Sequence, residues 1–238
     1  MSSEIGPKTI RDGLVFAVDA ADQGSYVSGS ITWNDLSGNR FNGTLNGGVG
    51  YSNTGFGSMV LDGVDDRITS PSVNTMGGIP NQTLEIWIKS SGLGITQSRG
   101  GLICPDYGQL SHISNSPTTG SVFYGLYFTS TSDPINVSLT TAGVNCFDNI
   151  WHHITCTRNS ADAVIYVDGI SRASGSGGGA WSGSNVHSNM NVEIGNNPNN
   201  IYYRLMGSIG LARIYNKALS ASEVVQNYNA GRSRFGLS

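Results

Sequence analysis

Three aspartates stand within five residues, at Asp62, Asp65 and Asp66, in a segment that also contains Gly63. Calcium in proteins takes carboxylate and backbone carbonyl oxygens from flexible loops, so these side chains could supply part of a calcium site. A turn in which Asp62 and Asp66 accept hydrogen bonds from backbone amides explains the same residues without a metal. We therefore predict a turn here. If calcium binds this protein, we expect it at these aspartates, where it would stabilise the fold and perform no chemistry.

Four aromatic residues could bind a sugar, namely Trp87, Trp181, Tyr202 and Tyr203. Aromatic rings stack on the apolar faces of sugars, while nearby asparagine and serine side chains bond to the hydroxyl groups. Trp87 is on the polar face of its predicted strand, Trp181 ends a glycine-rich segment, and the two tyrosines follow an asparagine-rich run. A place in the core or at an interface explains each of these residues as well. We expect one of the two adjacent tyrosines to be buried, because neighbours on a strand face opposite ways.

No pattern typical of catalysis is present. The sequence contains no G-x-S-x-G, no H-E-x-x-H and no glycine loop before a helix that could hold phosphate. His152 and His153 are adjacent on a predicted strand, so their side chains face opposite ways and cannot chelate one metal. The cysteines at Cys104, Cys146 and Cys156 are far apart and indicate neither a disulfide framework nor a zinc site. We therefore predict no catalytic residues.

Short strands must position these side chains, because polar and apolar residues alternate over short runs bounded by Gly, Asn, Asp and Ser. In the run LEIWIK, which begins at Leu84, the three aliphatic residues share one face, and Glu85, Trp87 and Lys89 share the other. This alternation predicts a half-buried strand. The predicted core residues are Leu84, Ile86, Ile88, Ile154, Cys156, Val164 or Ile165, and Ile209.

One short helix is predicted near the C-terminus. Ser220 and Glu223 have the spacing of a capping box, in which each residue satisfies a backbone amide of the other, and a hydrophobic staple flanks them. These signals predict a helix over Ala221 to Asn229. A helix of this length is not stable alone, so it must dock on the strands.

The composition favours tight turns and neutral partners. Glycine accounts for 33 of 238 residues, about twice its usual share of ~7%, and glycine supplies the positive φ of tight turns. Asp168-Gly169 is typical of a type I′ hairpin. Charged residues make up 12% and the net charge is −3, so there is no basic field for a phosphate backbone. These values exclude nucleic acid as an expected partner.

The chain offers no segment that would enter a membrane. Met1 to Gly13 lacks the apolar core of a signal peptide, and no apolar run approaches the ~20 residues that span a bilayer. We therefore expect a protein that is made in a cytoplasm and is not inserted into a membrane.

Several segments resemble the laminin G-like domains of the concanavalin A-like superfamily. They occur in the family's order over nearly the whole chain, at Asp12 to Ala20, Trp33 to Gly38, Gly43 to Leu45, Leu61 to Ile68, Leu84 to Lys89, Trp151 to Gly169 and Met206 to Tyr228. The resemblance implies an all-β fold, a two-sheet antiparallel jelly-roll sandwich. It also implies one concave face with binding loops at its rim.

The two ends of the chain resemble domains found in structural proteins of tailed bacteriophages. The N-terminal end has Gly-Pro-Lys at 6–8, and the C-terminal end has Arg-Phe-Gly-Leu at 234–237. We accordingly divide the chain into an N-terminal arm at 1–12, a sandwich at 13–230 and a tail at 231–238. On this resemblance both ends contact neighbouring subunits, and the protein, made in the host cytoplasm, is displayed on the virion surface.

The enzymes of the concanavalin A-like superfamily are glycoside hydrolases, which place two carboxyl groups about 5–9 Å apart across the sugar bond. On one strand this requires acids two or four residues apart, because alternate side chains share a face. Glu85 is followed at those positions by Trp87 and Lys89, and Glu193 has no acidic neighbour on its strand. We therefore predict that the protein is not an enzyme.

Three functions are compatible with these features. The first is a non-enzymatic structural protein of a virion, on capsid or tail, that has host-surface glycans, other virion proteins and further copies of itself in a homo-oligomer as partners. The alternative is a free-standing carbohydrate-binding lectin, which the neutral surface and the aromatic residues favour. A glycoside hydrolase ranks third, because only the fold supports it.

Overall fold

The computed structural model describes residues 8–54, 57–71, 81–91, 101–104, 112–115, 122–127, 136–141, 143–177, 191–197 and 200–238. Of residues 112–115, 123–127, 136–138, 197 and 200–203 only the backbone is described. Within these ranges the elements, in chain order, are β1 (Leu14–Asp19), β2 (Thr32–Trp33), β3 (Gly43–Asn46), β4 (Gly50–Ser52), β5 (Ser58–Asp62), β6 (Arg67–Ser70), β7 (Asn81–Lys89), β8 (Gly101–Cys104), β9 (His112–Asn115), β10 (Val122–Tyr127), β11 (Asn136–Thr140), β12 (Trp151–Asn159), β13 (Asp162–Val167), β14 (Ile170–Ser176), β15 (Val192–Ile194), β16 (Asn196–Asn197), β17 (Asn200–Arg204), β18 (Met206–Tyr215) and α1 (Ala221–Gly231).

Two large antiparallel sheets are formed by these strands. The first sheet has the order β14-β13-β12-β7-β18-β5-β4, and β1 also pairs with β18. The second has the order β11-β10-β9-β8-β15-β6-β3-β2, and β16 and β17 form a separate hairpin. This architecture, a sandwich with one short helix in the described part of the chain, confirms the predicted fold class.

The hydrophobic core lies between the two sheets. The predicted aliphatic face of β7 meets Ile68 of β6 and Ile194 of β15 from the second sheet. The predicted core residues that lie in this cluster are Leu84, Ile86, Ile88, Ile154, Cys156, Ile165 and Ile209. Of the two alternatives, Ile165 is therefore the core residue, while Val164 packs, partly buried, against the cluster under the helix.

The strand β7 is buried on both faces, which corrects the prediction of a half-buried strand. Glu85 and Trp87 point away from the core, yet both are 0% exposed. Helix α1 and the residues after it cover this outer face of the first sheet. Sequence alternation shows that two faces differ in polarity, but it does not show what covers the second face.

The predicted hairpin and helix are both present. Strands β13 and β14 are joined by Asp168 and Gly169, whose φ values of 53° and 75° are those of a type I′ turn. Ser220 and Glu223 form the complete capping box at the start of α1. Val224, in the staple position, is fully buried with Leu219 against the first sheet.

The C-terminal tail is part of the fold. Phe235 is buried and stacks on Trp87 at 4.2 Å between ring centroids. Gly231 lies directly over the same indole, because a Cβ at this position would be 3.0 Å from Cζ2 of Trp87. A side chain at this last residue of the helix would therefore press on the indole, and the backbone of Gly231 is not left-handed.

The N-terminal segment is also docked on α1 from Lys8 onward. The Ile10 amide donates to Oδ1 of Asn227 at 2.8 Å, and Gln226 donates to the Lys8 carbonyl at 2.6 Å. Among the described residues there is no helix with the length and apolar character needed to cross a bilayer.

Candidate functional site

A row of polar side chains crosses the outer face of the second sheet. Strands β3, β6 and β15 are neighbours, and their registers place Thr44 opposite Thr69 and Thr69 opposite Glu193. Two residues along the same strands, Asn46 lies opposite Arg67 on this same face. The row runs from exposed Thr44 to Glu193, which is 8% exposed. We call these five residues the polar row.

Hydrogen bonds hold the polar row together at its buried end. Oγ1 of Thr69 donates to Oε1 of Glu193 at 3.1 Å, and Nδ2 of Asn46 donates to Thr69 at 3.4 Å. Asn196, which begins the β16–β17 hairpin, donates to Oε2 of Glu193 at 3.4 Å. Oδ1 of Asn196 is buried and has no hydrogen-bond partner among the described residues. The row therefore contains fixed donors and acceptors, and Asn196 beside it has one acceptor that no described residue uses.

Burial raises the pKa of Glu193 above its ordinary value. The hydrogen bonds from Thr69 and Asn196, and the charges of Arg67 and Arg204, act in the opposite direction but do not cancel the desolvation. The charged form is disfavoured where water is excluded. Glu193 is therefore a carboxyl group that accepts a proton more readily than an exposed glutamate.

The three predicted aspartates do come together. One carboxylate oxygen from each of Asp62, Asp65 and Asp66 lies within 4.8 Å of the others, in the loop between β5 and β6. Oδ2 of Asp66 accepts from the Asp62 amide at 2.8 Å, and Oδ1 of Asp62 accepts from the Val64 amide at 2.7 Å. These backbone bonds are those of the predicted turn. We call this segment, 62–66, the acidic loop.

Asp66 carries an unused acceptor inside the acidic loop. The residue is 3% exposed, and its Oδ1 has no partner in the described structure. Burial raises the pKa of Asp66, and the charges of Asp62 and Asp65 raise it further, although the Asp62 amide opposes them. A buried carboxylate oxygen beside two other acids is a place where a hard cation would relieve both repulsion and lost hydration. These three carboxylates could therefore supply part of a calcium shell.

The acidic loop and the polar row meet end to end. Asp66 directly precedes Arg67, which begins β6, and Gly47 directly follows Asn46, which ends β3. Gly47 has a φ of 90° and packs so closely on Asp65 that a Cβ would overlap the aspartate backbone. Whatever fixes the acidic loop therefore also fixes this end of the polar row.

Of the four aromatic residues predicted to bind sugar, Trp87 is the one whose side chain the structure describes. Trp87 is 0% exposed, and Phe235 and Tyr228 stack on it within the chain, which corrects its prediction as a sugar-binding residue. Trp181 lies outside the described residues. The backbone of Tyr202 and Tyr203 is in β17, which pairs with β16, and their side chains lie outside the description.

Glu85 belongs to a closed network under α1. Its Oε1 accepts from Arg213 at 2.7 Å and lies 3.2 Å from Nε2 of His153, and its Oε2 accepts from Asn227 at 2.7 Å. Burial alone would raise the pKa of Glu85, but the charge of Arg213 and the bonds from His153 and Asn227 lower it to about 2. This carboxylate is ionised and fully occupied by its own chain. It positions the helix, as expected of a structural acid.

His152 and His153 face opposite ways, as predicted from the strand. Nδ1 of His152 lies 2.8 Å from Asp168 and Nε2 lies 3.2 Å from Asp148. Burial would lower the pKa of His152, but these two aspartates raise it above its ordinary value. Asp168 also accepts from the His153 amide at 2.9 Å. The pair ties a loop and the β13–β14 turn to β12, which is a structural role.

Thr44, Asn46, Thr69 and Asn196 did not stand out in the sequence. The alternation in Arg67 to Ser70 and in Val192 to Ile194 shows that Thr69 and Glu193 both face away from the core. That signal identifies polar faces one strand at a time. It cannot show that β6 and β15 are neighbours, because 124 residues separate Thr69 from Glu193.

Solved structures with the same fold include binding domains of toxins and one enzyme. The binding domain of Paraclostridial Mosquitocidal Protein 1 superposes with a TM-score of 0.71 and 21% identity, over 95% of this chain and 56% of that one. The receptor binding domain of botulinum neurotoxin C/D mosaic serotype gives 0.69 and 18%, over 92% and 51%. Trypanosoma rangeli sialidase gives 0.63 and 15%, over 93% and 34%. This chain therefore spans about half the length of the two toxin domains, and the likeness concerns the fold.

Comparison with curated protein sequences finds no match. The match to a family model, by contrast, is extensive and includes the acidic loop, the polar residues of β6 and β15, and the beginning of α1. Residues 62–225, more than half of the chain, match the Laminin_G_3 model, which is described as concanavalin A-like lectin/glucanases superfamily. The chain belongs to this laminin G-type family of the concanavalin A-like superfamily.

Proposed function

We propose that this protein is a non-enzymatic carbohydrate-binding domain, and that the polar row is its binding face. The observation that carries the proposal is the register of β3, β6 and β15, which aligns Thr44, Thr69 and Glu193 across neighbouring strands. Sugars are recognised by fixed groups that donate and accept hydrogen bonds to hydroxyls. A strand scaffold holds such groups more rigidly than loops do.

The exposed end of the row is where a sugar would dock. Thr44 is exposed, and Asn46 and Arg67 are half-buried beside it. Together they offer a hydroxyl, an amide and a guanidinium, which are the donor and acceptor types that pair with sugar hydroxyls. Glu193 acts from below as a positioning residue, because its Oε1 accepts a hydrogen bond from Oγ1 of Thr69 at 3.1 Å. The toxin domains with this fold are titled as binding domains, which supports a binding role.

Hydrolysis is not proposed, because the polar row has one carboxyl group. A glycosidase needs two, about 5–9 Å apart, and the members of the row other than Glu193 are threonine, asparagine and arginine. The similarity to a sialidase is at the level of fold, and fold does not imply function. Glu85, the other glutamate buried on a strand, is enclosed under α1 and reaches no sugar.

We further propose that the acidic loop binds calcium in a structural role. Asp66 supplies a buried oxygen with no described partner, and Asp62 and Asp65 supply two more within 4.8 Å. Bound calcium would hold Gly47 and Asp66 together and so fix the Asn46 and Arg67 end of the polar row. It would activate no water, since the described cluster contains no additional base.

The setting of the protein is proposed to be the surface of a bacteriophage virion, as a homo-oligomeric subunit. The supporting observation is the resemblance of the two ends of the chain to virion proteins. Phe235 of the tail is packed on Trp87, so removing the tail would also damage the fold. Incorporation should therefore be tested with Ser233→Glu, which changes an exposed residue. Normal incorporation of this variant would argue against the tail as a subunit contact.

The carbohydrate proposal is tested on a glycan array with calcium and with chelator. The binding variant is Thr44→Ala with Asn46→Ala, and the matched control is Thr54→Ala with Asn53→Ala, which removes the same groups from an exposed loop. We expect the affinity for any glycan found to fall about tenfold or more in the binding variant alone, the cost of two lost hydrogen bonds. Absence of any glycan, or equal affinity in both variants, would overturn the proposal.

A further inference from the structure

A cleft of about 640 Å³ lies on the outer face of the first sheet, opposite the polar row. Its floor is formed by β1 and β18, one wall by the N-terminal segment, and the other by the end of α1 and the tail. Arg213 lies in the floor, Arg11 in the first wall and Arg234 in the second. The volume is within the range of ~300–1,000 Å³ typical of small-molecule sites. The cleft is thus a second concave site, separated from the polar row by the core.

Cationic side chains dominate the lining. The charged residues are Lys8, Arg11, Arg213 and Arg234 against Asp19 and Asp22. Nη1 of Arg234 donates to Oδ2 of Asp19 at 2.7 Å, which pairs one acid with one base. The Arg213 charge is balanced by Glu85 from beneath the cleft. Among the described lining residues, Asp22 is then the one acid that remains for Lys8 and Arg11, which leaves this described lining with an excess of positive charge.

Arg213 is held in place before any ligand arrives. Its Nη1 donates to Glu85 at 2.7 Å, and Glu85 is itself fixed by Asn227 from α1. The side chain is 13% exposed, so one part of it reaches the cleft. A guanidinium has five N–H donors in a rigid plane. An arginine that is already immobilised loses little entropy when it binds an anion.

Lys8 and Arg11 stand at the entrance, and both are exposed. Among the described residues neither takes part in an ion pair, and Arg11 makes one long bond of 3.5 Å to the Leu36 carbonyl. Leu36 and Leu211 supply apolar surface in the same cleft. Two exposed cations that have no ion-pair partner among the described residues therefore lie beside a small apolar surface.

We propose that this cleft binds a small ligand that carries an oxyanion, a carboxylate or a phosphate, with the anion between Arg11 and Arg213 and the rest of the ligand over Leu36 and Leu211. Arginine and lysine are the residues that pair with such oxyanions. The site is independent of the polar row, so a ligand here and a glycan there bind to opposite faces of the sandwich. The proposal therefore does not depend on the carbohydrate function.

The test is titration calorimetry of the whole chain at low ionic strength, supported by NMR chemical shifts. The probes are inorganic phosphate, N-acetylneuraminic acid as a carboxylate, and galactose as a neutral compound. The cleft variant is Lys8→Gln with Arg11→Gln. The matched control is Arg40→Gln with Arg172→Gln, which removes the same charge from exposed positions outside the cleft. Thr44→Ala is included to separate this site from the polar row.

We expect at least one anionic probe to bind saturably and galactose not to bind in the cleft. Comparison of phosphate with N-acetylneuraminic acid tells which oxyanion the site takes. Affinity should fall about tenfold or more in the cleft variant, the cost of lost charge-assisted bonds, and stay unchanged in the control and in Thr44→Ala. The proposal is overturned if neither anion binds saturably, if the cleft variant binds as wild type does, or if the control loses as much affinity, which would indicate net charge alone.

Discussion

The outer faces of the two sheets both carry buried glutamates, but they use them differently. On the first sheet Glu85 is bonded by Arg213 and Asn227, so its oxygens are satisfied by the chain itself. On the second sheet Glu193 accepts from Thr69 and Asn196, whose own Oδ1 is left without a described partner. The first arrangement attaches a helix to a sheet. The second leaves one buried acceptor, Oδ1 of Asn196, without a partner among the described residues.

The charge environment explains the difference. The ion pair with Arg213 lowers the pKa of Glu85 to about 2, so folding favours the charged form. At Glu193, desolvation raises the pKa by more than the charges of Arg67 and Arg204 lower it. Folding therefore disfavours the charged form of Glu193. The network around Glu85 thus stabilises its own charge, whereas the surroundings of Glu193 oppose its ionisation. Substitutions at these glutamates test that distinction directly.

The largest effect is expected for Glu85→Gln. The free energy of unfolding near neutral pH should fall by about 3–5 kcal/mol, because Arg213 becomes a buried cation without its carboxylate. Urea unfolding followed by circular dichroism measures this. In the wild type the stabilisation should be complete above about pH 4.5 and disappear as the pH falls toward 2, since the folded pKa lies below the ordinary one. Equal stability of variant and wild type near neutral pH would contradict the claim that Glu85 compensates the buried charge of Arg213.

An intermediate effect is expected from calcium at the acidic loop. A ligand that binds only the folded state stabilises it by about 2.7 kcal/mol at one hundred times its Kd. The melting temperature of the wild type should therefore be higher in calcium than in chelator, and the difference should vanish in Asp65→Ala.

Asp162→Ala serves as the control, since it removes an exposed acid far from the loop and should keep the full calcium response. If calcium raises the melting temperature of Asp65→Ala as much as that of the wild type, the metal binds elsewhere. If it raises none of the three, the aspartates only form the turn.

The smallest effect, with the opposite sign to that at Glu85, is expected for Glu193→Gln. The variant should be slightly more stable than the wild type near neutral pH, because it removes a buried charge and keeps the acceptor for Thr69. In the wild type the folded state binds the proton more tightly, so stability falls as the pH rises from the ordinary to the folded pKa.

The advantage of Glu193→Gln should accordingly disappear in acid, where both side chains are neutral. Thermal unfolding across a pH series measures it. A loss of stability near neutral pH, as at Glu85, would show that Glu193 is also held by a closed network. The outer faces of both sheets would then each hold a glutamate whose charge is stabilised by its own chain.

Local features of the fold could be predicted from the sequence. The capping box joins Ser220 and Glu223, and the type I′ turn joins Asp168 and Gly169, so each depends on groups a few residues apart. The acidic loop, 62–66, was identifiable for the same reason. Hydrogen bonds of such short range form wherever the residue types permit, so their sequence signals carry over directly to the structure.

What the sequence by itself determined is therefore the class of fold, which face of each strand is apolar, and the local turns and caps. The tertiary structure alone decided what covers the other faces. Asn227 reaches Glu85 across 142 residues, and Thr69 meets Glu193 across 124 residues to form the polar row. Tyr228 and Phe235 cover Trp87 from the helix and the tail. The alternation of polar and apolar residues along a strand has a period of two and does not indicate which strands become neighbours. The physical reason is that strand order and helix docking depend on the packing of the whole core, and no local pattern records that packing.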